Sequence, residues 1–280
     1  MARPDNALPI AVFDSGVGGL TVLHECLVSL PHEDFVYLGD TARFPYGDRS
    51  ADELREFALE LAGLLLADGA KLLVVACNSA TAAALPALRE ELVDRVPVVG
   101  VVGPESRLAA SVTRNSRVGL LATPATVASD AYARALAEAA PEVELHAVAS
   151  AELAPLIQTG HEVDQAVVDC VEGACAPLKA AGVDTVILGC THYPLVRPVL
   201  QRCLGREAEI VSSGQAIADE VEHALDAAGL GAEPGRRGAY RFLASGGTDD
   251  FRRQGTRFLQ LPIDEVRHVE VAEPRKRRAA

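Results

Sequence analysis

Two stretches of this sequence end an apolar run in a cysteine that small polar residues follow at once. "VVACNSAT" (74–81) carries Cys77 and "VILGCTHYP" (186–194) carries Cys190. Laid over one another, Gly69 falls on Gly182, Val74 on Ile187 and Cys77 on Cys190, a constant offset of 113 residues. Each cysteine sits just past an expected strand, where a helix is about to begin. A helix start offers unpaired N–H groups and a positive dipole end. These lower a thiol pKa from its reference of ~8.5 towards the reactive range and can hold a substrate carboxylate. One such cysteine is explained as well by packing as by chemistry, whereas two at equivalent points of an internal repeat favour chemistry. A nucleophilic cysteine works alone, with a histidine base and an oxyanion hole. An opposed pair suits another reaction: one thiolate removes a proton from a carbon, and the facing thiol returns one to the other side. That is stereoinversion by two bases, which must start in opposite protonation states.

Other polar residues stand at comparable places. "PIAVFDSGVGGLTVL" reads as strand, glycine turn and helix, with Asp14 and Ser15 at the strand's carboxyl end. Asp14 is placed either to hydrogen-bond a thiol or an ammonium, or to cap the helix that follows. Gly16, Gly18 and Gly19 do not form the dinucleotide fingerprint, because its third position falls on Thr21. A tight turn that lets backbone approach a small anion is the preferred reading. "YLGDTARFPYGDRS" puts Asp40 at a strand end and Tyr46 in the loop beyond, either closing over a ligand or packing within the loop. His192, two residues after Cys190, could tune that thiol or act on the substrate ammonium, or simply satisfy a helix start. The other histidines have no such context.

The elements that must position these groups alternate. "PIAVF", "FVYLG", "KLLVVA", "VPVVGV", "RVGLLA", "VELHAVA", "DTVILG" and "EIVSS" are short apolar runs separated by segments of helical periodicity. In "ADELREFALELAGLLLADG", Leu54, Phe57, Leu61, Leu64 and Leu65 share one face. Strand–helix alternation with short connections gives an α/β protein with mostly parallel sheets covered on both faces. Ligands in such sheets bind beyond the carboxyl ends of the strands, where both cysteines lie. The echo suggests two similar α/β units, one centred on each cysteine, with the site between them. The loop 229–238 reads as a surface turn and "PRKRRAA" as a frayed tail.

Composition narrows the class. The chain has 280 residues, 49% of them hydrophobic and only 4% aromatic, so its core is built of Ala, Val and Leu. A net charge of −13 disfavours a nucleic-acid or anionic-membrane surface. No apolar run is long enough to span a bilayer, and "MARPDNALPI" lacks a signal-peptide core. Six cysteines spread over the chain do not form a disulfide framework, so a reduced, cytoplasmic setting is expected. Cys26, Cys170, Cys175 and Cys203 read as core residues and complete no metal site. Only Lys71, Lys179 and Lys276 are lysines, none in a loop suited to a pyridoxal Schiff base, which points to cofactor-free chemistry.

"FDSGVGGLTV", "YLGDTARFPYG", "ACNSAT" and "LGCTHYPL" together resemble the glutamate racemase family of the aspartate/glutamate racemase superfamily. The likeness runs from about residue 10 to the helix near residue 260, and "LGCTHYPL" is its most specific motif. It implies two pseudo-symmetric α/β domains with the active site at their interface: residues 5–100 joined by 212–280, and residues 101–211. It implies cofactor-independent interconversion of L- and D-glutamate, the D-form feeding peptidoglycan synthesis. By motif position Cys77 and Cys190 would be the acid–base catalysts, supported by Asp14 and His192 respectively. Substrate contacts would come from Asp14, Ser15, Tyr46, Gly47, Asn78, Ser79, Thr191 and His192. No metal is implied, and homo-oligomers are common among relatives without one shared interface. The chain departs from the family pattern at Ser79, where threonine is usual; at Ser150 and Ala151, where Cys-Pro is frequent; and at Gln158, where a glutamate is frequent.

Three other readings compete. A racemase of the same superfamily acting on aspartate or another amino acid would carry the same cysteines. A non-catalytic protein that binds and regulates a partner would not need them. A redox protein would join Cys77 and Cys190 in a disulfide and exchange no α-hydrogen.

Overall fold

The structure, a computed structural model, describes residues 6–160, 163–233 and 235–273. The tail from Pro274, His161, and Pro234 of the 229–238 loop lie outside the described residues. Among the described residues ten strands form: β1 (Ile10–Asp14), β2 (Phe35–Gly39), β3 (Leu72–Val75), β4 (Val98–Gly100), β5 (Arg117–Ala122), β6 (Glu144–Ala149), β7 (Thr185–Gly189), β8 (Glu209–Val211), β9 (Tyr240–Ala244) and β10 (Val266–His268). They make two sheets, ordered β10-β9-β2-β1-β3-β4 and β6-β5-β7-β8. Every neighbouring pair is parallel. Helices cover the strands, so β1, β2, β3 and β7 are buried along their whole length. This explains why these strands read as continuous apolar runs with no alternation.

The sheet order accounts for the echo. β2-β1-β3-β4 and β6-β5-β7-β8 are the same arrangement, with β3 equivalent to β7. Gly69 and Gly182, which precede those two strands, both adopt a positive φ, +84° and +69°. Each follows the helix that leads into the strand, Ala51–Ala67 or Gln165–Ala180. A left-handed residue after a helix is where glycine is favoured, because it has no Cβ to clash. In each sheet the connections run to opposite sides from the central pair, β1 with β3 and β5 with β7. That is a topological switch point, open at the carboxyl ends of the strands.

Two strands escape the sequence pattern. β9 begins with exposed Tyr240 and Arg241, and β10 is a three-residue edge strand with exposed Arg267 and His268. Neither presents an uninterrupted apolar run, although both extend the first sheet on the outer side of β2. In the helix Ala51–Ala67, the apolar face is Leu54, Phe57, Ala58, Leu61, Ala62 and Leu65; Leu64 is 37% exposed. The small residues Ala58 and Ala62 complete the buried stripe where Leu64 had been expected. A capping box between Ser50 and Glu53 starts this helix. Lys71 is fully buried at the amino end of β3, 2.5 Å from Glu33, and donates to the carbonyls of Asn6 and Leu230 at 2.9 Å. It is thus tied down at the end of the sheet away from the cysteines. No helix among the described residues is long and apolar enough to cross a membrane.

Candidate active site

Both switch points open onto one cleft. β1 delivers Ser15, β3 delivers Cys77, Asn78 and Ser79, β5 delivers Thr123, and β7 delivers Cys190, Thr191 and His192. The loop after β2 adds Phe44, Pro45, Tyr46 and Gly47, and the stretch after β6 adds Ala151, Ala154 and Pro155. The space they enclose, mouth included, is about 400 Å³. Of the residues expected from the sequence, Asp14 alone does not line it.

Cys77 is the N-cap of the helix Asn78–Glu91, and its sulfur accepts the Ala80 N–H at 3.5 Å. Cys190 precedes the short 3₁₀ turn Tyr193–Val196, and its sulfur lies 3.8 Å from His192 Nδ1. The cysteines are only 5% and 7% exposed. Burial pushes the Cys77 thiol up to about 12, and the nearby Asp14 charge adds to this; hydrogen bonds from Ala80 and Ser15 oppose it. Burial likewise raises Cys190. The helix starts therefore do not make low-pKa thiols, contrary to the expectation from sequence. Removing the sulfurs from water costs their anions more than the Ala80 and Ser15 donors return at Cys77, or the single His192 N–H returns at Cys190. In the unliganded cleft both sulfurs are thiols.

His192 is buried and its pKa is lowered to about 3, mainly by burial and then by the charge of Arg257. It is a neutral imidazole throughout the physiological range. Its Nε2 is 2.8 Å from Gln158 Oε1. An amide oxygen only accepts, so Nε2 carries the hydrogen and Nδ1 presents a lone pair to the Cys190 thiol. Phe44 and Phe258 pack against the ring, with centroids 5.4 Å and 5.1 Å away. Gln158, where a carboxylate had been noted as frequent, thus does touch the site through His192.

Asp14 is fully buried behind the cleft. Its Oδ2 accepts the Gly16 N–H at 3.0 Å and its Oδ1 accepts the Thr191 hydroxyl at 3.3 Å. Burial raises its carboxyl, with those bonds opposing. It therefore joins β1 to the loop after β7. The glycine turn serves the same junction. A Cβ on Gly18 would lie 2.3 Å from Thr191 Oγ1 and 2.4 Å from His192 Nδ1. The turn admits the loop after β7, which carries Cys190, at close range.

Tyr46 lines the cleft, while its hydroxyl donates to buried Asp40. Asp40 also pairs with Arg43 at 2.6 Å and accepts from Ser245 at 2.6 Å. Its role is to shape the 40–47 loop, which contains a cis Phe44–Pro45 bond. Ser79 shares a cluster of hydroxyls with Thr123 at 2.9 Å and Thr126 at 3.1 Å. Thr123 was missed from sequence, although the signal was present. "LLATPAT" ends β5 in a Thr-Pro helix start, the same strand-end rule that singled out the cysteines. Among the described residues, no group of three or more His, Cys, Asp or Glu is placed to hold a metal ion.

Residues 22–221 match the family model of Asp/Glu/hydantoin racemases. The chain is 44% identical to a glutamate racemase of Beutenbergia cavernae, over 92% of this chain and 91% of that one. The fold superposes on the crystal structure of glutamate racemase isoform RacE1 from Bacillus anthracis with a TM-score of 0.89 and 37% identity, covering 95% of this chain and 98% of that one. It also superposes on the Francisella tularensis glutamate racemase solved in complex with D-glutamate, with a TM-score of 0.87 and 29% identity, over 95% and 98% of the two chains.

Proposed function

We propose, from the premise that this chain belongs to the Asp/Glu/hydantoin racemase family and is a glutamate racemase, that Cys77 and Cys190 interconvert L- and D-glutamate without a cofactor. The observation that carries this reading is that cysteines at equivalent ends of β3 and β7 line one cleft. One sulfur takes the α-proton as a thiolate while the other delivers a proton to the opposite face, and the roles exchange in the reverse direction.

The surroundings of the two sulfurs differ in a way that suits opposite starting states. Cys77 receives hydrogen bonds from Ala80 and Ser15, which favour its anion. Cys190 receives a single such bond, from the His192 backbone N–H, and faces the His192 Nδ1 lone pair, which favours its S–H. A thiolate needs a compensating charge in so dry a site, and the α-ammonium of a bound amino acid supplies it. That ammonium also offsets the Asp14 charge, which adds to burial in holding Cys77 protonated in the empty cleft. The catalyst thus becomes active when substrate is bound, and a reactive thiolate is not left exposed to oxidants.

Glutamate would be held by Ser15, Asn78, Ser79, Thr191 and His192, with N–H groups at the helix starts receiving its carboxylates. Tyr46 would contribute its ring and Gly47 its backbone, and Asp14 would act on the substrate through Thr191 as well as by charge. The D-glutamate bound in the Francisella tularensis relative supports a small amino-acid substrate. The reading extends to a cytoplasmic enzyme that supplies D-glutamate for peptidoglycan. Residues 5–100 with 212–280 would form one domain and 101–211 the other, as the return of β9 and β10 to the first sheet supports. The test is to follow chirality when the purified protein meets L-glutamate and, separately, L-aspartate, with no added cofactor. Conversion of glutamate, abolished in Cys77→Ala and in Cys190→Ala, is expected. A folded, inactive wild type would overturn the reading, and a preference for aspartate would overturn its substrate.

A further inference from the structure

One buried carboxylate has no part in this chemistry. Glu105, in the helix Val102–Val112, is fully buried. Its Oε2 accepts from Asn78 Nδ2 at 3.1 Å and from the Tyr132 hydroxyl, and its Oε1 accepts from the Ser213 hydroxyl. The Tyr132 oxygen in turn accepts from Asn78 Nδ2 at 2.7 Å. Four helices meet here: Asn78–Glu91, Val102–Val112, Ala131–Ala139 and Ser213–Ala228.

An ionised carboxylate can only accept, so the direction of each hydrogen bond in this cluster is fixed. Ser213 and Tyr132 must donate to it, and Asn78 must turn its amide nitrogen towards it. Both amide hydrogens of Asn78 are thereby spent on Glu105 and Tyr132, neither of which lines the cleft. Asn78 does line the cleft, and its Oδ1 is buried and has no protein partner. We propose that Glu105 is a positioning residue that holds the Asn78 amide with its oxygen offered to the α-ammonium of the substrate. The proposal rests on the amino-acid racemase reading above. A protonated Glu105 would have to donate one hydrogen bond itself, and the cluster would then accept the Asn78 amide in either orientation. A turned amide would set an NH₂ group against the ammonium.

The carboxyl of Glu105 is raised to about 7, by burial, against the hydrogen bonds from Ser213, Tyr132 and Asn78. The titratable groups facing it are Tyr132 and, past the end of β7, Cys190. From the other two helices, Glu105 accepts from the Asn78 amide and the Ser213 hydroxyl. Arg107 of its own helix turns out to Glu220 at 2.6 Å, and Glu209 of β8 is exposed. The group is raised above its ordinary value, so the carboxylate is present above pH 7 and lost as pH falls through it. Asp14 also titrates upward of its ordinary value, so variants are needed to assign the step.

The experiment measures kcat and KM for L-glutamate between about pH 6 and pH 9 in the wild type, Glu105→Gln and Ser213→Ala, with melting temperatures alongside. In the wild type, KM should rise as pH falls below about 7. Glu105→Gln should raise KM about tenfold at high pH and flatten its pH dependence, with kcat within about twofold, the effect of one weakened charge-assisted contact. Ser213→Ala removes a bond that lowers the Glu105 pKa, so its KM inflection should move to higher pH. A structural role for Glu105 would lower the melting temperature and leave these profiles unmoved. Wild-type KM and profile in Glu105→Gln, or an unmoved inflection in Ser213→Ala, would overturn the proposal while leaving the racemase reading intact. An inactive wild type would overturn both.

Discussion

Replacing Gly18 by alanine tests the junction on which the site depends. Gly18 has no left-handed φ, so its backbone accepts alanine and the substitution reports on space alone. The new methyl would sit 2.3 Å from Thr191 Oγ1 and 2.4 Å from His192 Nδ1, where ordinary contact begins at 3.4 Å. The loop after β7 must therefore retreat by about 1 Å, and a displacement of that size at a catalytic group costs about 10²-fold in rate. Thr191 would also lose its 3.3 Å bond to Asp14, while Cys190 would move with the loop. Overpacking of this kind costs about 1–3 kcal/mol of stability, too little to unfold a domain of ordinary stability. The assay is kcat/KM for L-glutamate together with thermal unfolding. A fall of about 10²-fold with a modestly lowered melting temperature is expected. Activity within about threefold of wild type would show that the loop does not need its observed approach to the glycine turn, and would refute the reasoning.

Gly63→Ala is the matching control, because nothing lies within 4 Å of a Cβ there and the residue is inside the helix Ala51–Ala67. It should stabilise the protein by roughly 0.5–1 kcal/mol without changing turnover, and a loss of stability in urea unfolding would contradict the helix packing described. Cys77→Ala and Cys190→Ala should each lower racemisation by at least about 10²-fold while circular dichroism shows a folded chain. Retention of racemisation by either variant would remove that cysteine from the mechanism. His192, lowered from 6.5 to about 3, gives stability that is fully present above 6.5 and is lost as pH falls towards 3. His192→Asn should accordingly lose less stability than wild type between about pH 7 and about pH 4.5 in urea melts, and equal losses would sink that assignment.

What the sequence made legible was the part built from strand ends. Fully buried parallel strands leave apolar runs, and the residues at which those runs stop are the ones facing the cleft. Cys77, Asn78, Ser79, Cys190, Thr191 and His192 were visible for that reason, and the 113-residue offset marked β3 and β7 as equivalents. β9 and β10 were not visible, because partly exposed strands, the second a three-residue edge strand, mix apolar and charged residues. The hydroxyl cluster around Thr123 needed the position of β5 beside β7, which no local pattern states. The thiol pKa values went the other way from expectation because burial is a property of the assembled halves. The same holds for Glu105, whose partners lie 27 residues away on each side and 108 residues further along the chain.

The central claim is that two different sulfurs act on opposite faces of one carbon. Early-turnover isotope exchange in D₂O tests it most directly. A thiol that has just taken the α-hydrogen is monoprotic, so any return to the same face gives that hydrogen back. The opposite thiol carries a solvent-derived deuteron. From L-glutamate, the first D-glutamate formed should therefore carry deuterium while the remaining L-glutamate stays protiated, and the same should hold from D-glutamate. First-formed product that keeps the substrate's own hydrogen would mean a single base serving both faces, and would contradict the account.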